Sequence, residues 1–272
     1  MLAVLMIPAL SSAEEMIGSV VLAKGVVTAS SSESGLRTLA KGSAVHQGEI
    51  LETASDSFLV VQLNDGTKLT LRPRSELTLE KFNTDEGKEE ALFNLLKGGL
   101  RTISGEIGQK RPDQFRVETG IATIGIRGTD FIVRLCEDDC LQEKLEKGDS
   151  QGDKAGRGGG NTQKKEILRL GENGTTKDAG SIECRPASEV TRGLYVAVLL
   201  GGIYVATAKE RIELDAIEAL VVENREIVCL DGVPRFLFRD DYLSRDPDET
   251  ITLFNILQNI NDERPHCAIP EA

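Results

Sequence analysis

Apolar and polar residues alternate with a period of two from Ile17 to about Phe82 and again from Phe115 to Leu135, the mark of half-buried β-strands. Leu59, Val61 and Leu63 point one way, Asp65-Gly66 turns the chain, and Leu69 and Leu71 point back the same way. An Asp-Gly pair between alternating runs predicts a hairpin closed by a type I′ turn, which needs positive φ at both central residues. Arg72-Pro73-Arg74 makes a corner, with Pro73 at a strand end or edge because it has no N–H to give to a ladder. Leu77 and Leu79 then resume the apolar face. Further on, Phe115 and Val117 alternate with Arg116 and Glu118, and Phe131, Val133 and Leu135 alternate with Ile132 and Arg134. Gly193–Val198 and Gly201–Val205 read as another hairpin, and Ile212, Leu214 and Ile217–Val222 as later strand material. Many short strands, small corners and no exact repeat predict an all-β fold: a β-roll, a short solenoid-like stack or a sandwich.

Three stretches break the pattern. Residues 146–166 hold no large apolar side chain, so they cannot offset the entropy of ordering and read as a disordered insertion. Their Gly-Asp pairs lack the regular Gly-Gly-x-Gly-x-Asp period of calcium-binding nonapeptides. Asp246-Pro247-Asp248-Glu249 has the form of a helix start, with Asp as N-cap, Pro at the first helical position and Glu at the third. Leu253, Phe254, Ile256, Leu257 and Ile260 continue it as an apolar stripe, for packing on the sheet or for a partner. At the other end, Leu2–Leu10 is a nine-residue apolar run followed by the small residues Ser11-Ser12-Ala13. That is too short to span a bilayer and about right for an export signal over residues 1–13, although no Lys or Arg precedes it, which points to a start further upstream or to a minimal signal. The resulting division is a signal peptide (1–13), a β domain (17–222) interrupted by the insertion, and a C-terminal extension with a short helix (223–272).

Composition narrows the partners. A formal net charge of −12 over 272 residues repels nucleic-acid phosphates and anionic membranes. Aromatic content of 4% with no Trp disfavours stacking platforms for sugars or bases. No other run is long enough for a membrane anchor, so the expectation is a soluble exported protein, periplasmic or secreted.

Candidate chemistry is sparse. In an exported chain the five cysteines, Cys136, Cys140, Cys184, Cys229 and Cys267, point to disulfides with one thiol left over. Cys136 and Cys140 could close a small loop, Cys184 could instead pair with either of them, and Cys229 with Cys267 would tie down the C-terminal segment. The Cys-x₃-Cys spacing is not that of a structural zinc site, and His266-Cys267 is the sole His-Cys neighbour pair. His46 and His266 are the only histidines; neither sits beside a motif-like nucleophile, and His46 reads as a surface residue at a strand end. With no nucleophile elbow, phosphate loop or dinucleotide fingerprint, neither catalysis nor a cofactor is expected. The most distinctive stretch is Gly125-Ile126-Arg127-Gly128-Thr129-Asp130-Phe131. Two glycines around one arginine imply a bend or a close approach of another strand. Arg127 itself reads as a partly buried clamp that forks to a carboxylate or to backbone carbonyls.

That core, with the blocks before it, resembles the FecR domain of bacterial envelope proteins. The blocks are Gly18–Thr28, Leu39–Val45 with Gly48–Thr53, Phe58–Leu71 around Asn64-Asp65-Gly66-Thr67, and Lys97–Arg101. They span residues 17–135 and resume at 194–222. The resemblance implies an extracytoplasmic all-β module with no chemistry of its own, and makes Gly125, Arg127, Gly128, Thr129 and Phe131 signature residues of structure or interaction. FecR proteins proper relay receptor occupancy to a cytoplasmic sigma factor through a membrane helix and a cytoplasmic head. Neither is visible here, so the expectation is a protein-interaction module with an envelope protein as partner, possible in signalling; the alternative is an envelope or peptidoglycan-associated scaffold.

Overall fold

The computed structural model describes residues 15–137, 140, 164–170 and 176–237. The expected signal at 1–13, most of the insertion, the expected helix at 246–260, His266 and Cys267 lie outside the described residues. Lys164–Glu166, which composition assigns to the insertion, open a strand instead.

The first eight strands are β1 (Met16–Lys24), β2 (Val27–Ser31), β3 (Gly35–Thr38), β4 (Ala44–His46), β5 (Ile50–Thr53), β6 (Phe58–Leu63), β7 (Lys68–Leu71) and β8 (Glu76–Asn83). Next come β9 (Glu90–Lys97), β10 (Gly99–Ile103), a short helix α1 (Glu106–Lys110), β11 (Phe115–Thr119), β12 (Thr123–Ile126) and β13 (Asp130–Cys136). The last are β14 (Lys164–Leu170), β15 (Thr176–Glu183), β16 (Gly193–Leu200), β17 (Gly202–Ala206), β18 (Glu210–Asp215), β19 (Ala219–Glu223) and β20 (Glu226–Cys229). They form two sheets. Sheet I has nine strands in the order β20-β19-β16-β13-β10-β7-β6-β1-β4, and sheet II eleven in the order β15-β14-β18-β17-β12-β11-β9-β8-β5-β2-β3. The protein is all-β, and both sheets progress in the same direction along the chain. The alternation explains this: Leu59, Val61, Leu63, Leu69 and Leu71 of sheet I and Leu51, Leu77, Leu79, Phe93 and Phe115 of sheet II join one buried core.

The chain repeatedly changes sheet. From β9 in sheet II it passes to β10 in sheet I, then through α1 back to β11, which lies parallel to β9. Such a wrap is the solenoid-like element of the fold. At the early end, Glu49 is buried and accepts hydrogen bonds from Arg37 of β3 at 2.7–3.0 Å and from the backbone N–H of His46 of β4 at 2.8 Å. One carboxylate therefore joins the edge strands of both sheets, and His46 is half-buried beside it rather than a free surface residue.

Three local expectations are corrected. The β6–β7 hairpin forms, but positive φ occurs at Gly66 and not at Asp65. Gly66 N–H donates to Leu63 O at 3.0 Å, and Leu63 N–H to Thr67 O at 2.8 Å, so a three-residue loop with a glycine bulge replaces the two-residue I′ turn. The Asp65 side chain decides this by accepting from Thr67 N–H and Oγ1, both at 2.8 Å, and from Ile107 N–H of α1 at 3.3 Å. Gly193–Val198 and Gly201–Val205 are not a hairpin: β16 pairs with β13 and β19 in sheet I, and β17 with β12 and β18 in sheet II. Strand β13 is buried on both faces, not one. Ile132 and Arg134 lie under a second apolar cluster that covers the outer face of sheet I with Tyr195, Leu230, Phe236 and Leu237.

Candidate functional site

The Gly125–Phe131 stretch is a corner where the chain leaves sheet II at the end of β12 and enters sheet I at β13. Gly125 lies opposite Tyr204 of β17 in register, and a Cβ at Gly125 would stand 2.1 Å from the tyrosine ring. Only a glycine leaves room for a ring lying flat on the strand. The Arg211 guanidinium covers the ring's other face at 3.8 Å, so backbone, ring and cation are stacked in layers.

Gly128 makes the corner with φ +74°, and Gly201, between β16 of sheet I and β17 of sheet II, makes another with φ +79°. The two corners are stacked, since a Cβ on Gly201 would lie 2.3 Å from the Gly128 carbonyl oxygen. Arg127 N–H donates to Gly202 O at 2.8 Å and closes the same junction.

Arg127 does fork to carboxylates, Glu213 at 3.1 Å and Asp215 at 3.2 Å, but its side chain is 50% exposed. The expected inner clamp is therefore a surface one. The buried clamp is the next charged residue: Asp130 accepts from Arg101 Nε at 2.9 Å and Nη2 at 2.6 Å, with both side chains close to fully buried. Thr129 is buried, its N–H donating to Ser104 Oγ at 2.9 Å, and Phe131 fills the core. Beside the corner a cleft of about 210 Å³ is lined by Pro112, Ile126, Tyr204, Arg127, Arg211 and Glu213. Every side chain described here is engaged in packing or pairing, and none is a nucleophile next to a base. Among the described residues no group of three or more His, Cys, Asp or Glu could hold a metal ion.

Two disulfides are formed, Cys136–Cys140 and Cys184–Cys229. The second corrects the pairings of Cys184 with Cys136 or Cys140, and of Cys229 with Cys267. The backbone explains it: Arg185 bridges Leu230 and donates its N–H to Cys229 O at 2.8 Å, which sets Cys184 beside Cys229. Arg185 also binds Glu223 of β19 at 2.6 Å and 3.1 Å; that hydrogen-bonded cation holds the Glu223 carboxyl below its ordinary range, with Thr191 Oγ1 as a further donor.

Sequence reasoning marked the corner but missed Tyr204, Arg101, Asp130 and Arg72, the residues that hold it and its surroundings. A glycine inside a strand was the one available signal, and it does not say which side chain approaches.

The model of the FecR protein family matches residues 49–148, from the start of β5 through the corner and β13. Within the matched residues lie the β6–β7 hairpin, the Arg101–Asp130 pair and the whole Gly125–Phe131 corner. The blocks at 18–45 and 194–222 fall outside the matched residues, yet their strands continue the same two sheets on either side. Two solved structures resemble the chain, both crystal structures of a candidate anti-sigma factor from Parabacteroides distasonis, at 2.50 Å and 1.65 Å. Each is 16% identical with a TM-score of 0.41. The first alignment covers 72% of this chain and 64% of that one, less than two thirds of its length. The second covers 79% and 76%. No curated protein matches the chain. None of the helices among the described residues is long and apolar enough to cross a membrane.

Proposed function

We propose that this chain is a non-enzymatic, extracytoplasmic interaction module of the FecR type that acts in envelope signalling. The observation that carries the reading is the use made of the signature residues. Gly125, Arg127, Gly128, Thr129 and Phe131 are all spent on turning the chain and locking the two sheets, which leaves recognition to the surface around them. Two disulfides support an oxidising compartment. Edge strand β3 of sheet II, with Leu36 72% exposed, offers an unpaired row of backbone groups of the kind that accepts an added strand. The described aromatic side chains are in the core or packed against neighbours, which disfavours glycan or nucleobase platforms.

Chemical crosslinking in the native host, followed by purification from the envelope fraction and mass spectrometry, tests the reading. One dominant envelope protein is the expected result. Recovery only with purified sacculi would contradict it and assign the chain to the scaffold class.

A further inference from the structure

At the end of the strands remote from the Gly128 corner, residues of both sheets line a cavity of about 470 Å³. Its apolar wall is made by Leu96 at the end of β9, Ile121 in the β11–β12 turn and Leu135 near the end of β13. Ile121 and Leu135 pack on the main core, so the floor of the cavity is continuous with it, while Leu96 is 48% exposed at the rim. The volume falls in the range of about 300–1,000 Å³ usual for small-molecule pockets, which are mostly apolar with a few polar groups to fix the ligand.

Three charged residues complete the lining: Arg74, Lys97 and Glu137. Lys97 is paired with Glu76 at 2.9 Å and Glu52 at 3.8 Å, and Glu137 is engaged as well. Arg74 is exposed, and its guanidinium has no partner among the described residues. Its backbone is set in the tight β7–β8 corner with φ +55°, and its N–H donates to Ala54 O at 3.1 Å. The strands that frame the cavity are interior ones: β9 lies between β8 and β11, β10 between β7 and β13, and β13 between β10 and β16. They offer no free ladder row, so a polypeptide entering here would bring backbone amides into an apolar mouth without partners. A hydrocarbon chain has no such cost. One anionic end then complements the one unpaired cation, since a guanidinium takes a carboxylate through two parallel hydrogen bonds.

We propose that this mouth binds a small anionic amphiphile, an unbranched acyl chain ending in a carboxylate, with the chain against Leu96, Ile121 and Leu135 and the carboxylate on Arg74. In sheet II the site lies four strand spacings from the β3 edge, so a ligand here and a strand added at β3 use separate surfaces.

The chain has no Trp, so Leu96→Trp places a single fluorophore at the mouth, and Leu200→Trp places one at the opposite end of β16, on a residue 69% exposed. Titration of the full chain with decanoate is expected to change the emission of the Leu96→Trp protein saturably and to leave the Leu200→Trp protein unchanged. Calorimetry on the chain without either tryptophan should give one site for decanoate, with decan-1-ol weaker by roughly tenfold, the loss of one charge-assisted contact. Arg74→Gln, at an exposed and unpaired side chain, should weaken decanoate by the same factor and leave the decan-1-ol affinity where it was. Equal affinities for the acid and the alcohol, or an Arg74→Gln protein that binds decanoate unchanged, would overturn the proposal. So would equal responses from both tryptophans, which mean adsorption over the whole surface, or no response at Leu96→Trp. Tighter binding of acetyl-Leu-Leu than of decanoate would overturn it in favour of a polypeptide occupant.

Discussion

At the scale of single residues, Arg127 and Arg101 are separated by burial rather than by partner. Arg127 meets two carboxylates at the surface, where solvent screening and side-chain entropy leave an ion pair worth less than about 1 kcal/mol. Arg101 meets one carboxylate, Asp130, within the covered face of sheet I, and removing it strands a buried charge at about 3–5 kcal/mol. Arg127→Ala should therefore leave the melting temperature nearly unchanged and Arg101→Ala should lower it sharply, as thermal denaturation of the two variants would show. The alternating pattern put both arginines on strands without ranking them. Arg101 is buried with Asp130 on the outer face of sheet I, and no local periodicity records that the outer face is covered.

Among the elements, the strands were legible wherever one face met the core and the other met solvent, as at Leu59–Leu63 and Leu69–Leu71. The pattern failed where the outer face is covered too, at β13 and β16, and it could not say which sheet a strand joins. A glycine between two apolar runs looks the same whether it closes a hairpin or carries the chain across the sandwich. Gly201 does the second because β12 and β13 have already crossed at Gly128, and the new corner stacks on theirs. The segment from Cys184 to Thr191 is tied to β19 and β20 by the Cys184–Cys229 disulfide and the Arg185–Glu223 pair. Glu223 titrates below its ordinary value near 4.5 when folded, so the pair stabilises the protein above that pH and the contribution is lost as pH falls through the folded-state value. Glu223→Gln should destabilise the protein by about 1 kcal/mol at neutral pH, a low figure because the pair is partly screened by solvent. Chemical denaturation at neutral and at acid pH checks this: the gap between variant and wild type should narrow in acid.

On the scale of the whole molecule, two sheets grow together from one end to the other, stitched by sheet-changing corners, and the residues that match the FecR family model occupy their middle. In the proposed reading the signature corner is structural and the open ends of the sheets are the surfaces offered to other proteins. At the early end β3 is short and exposed and carries Leu36 outward. The most direct test of an interaction module with an edge-binding partner is a photo-crosslinking amino acid placed at Leu36 in the full chain and irradiated in the native host, with Lys81, exposed in the interior strand β8, as the control position. The account predicts a single dominant adduct with an envelope protein from Leu36 and none from Lys81. Adducts from neither position, or equal labelling of many proteins from both, would contradict it.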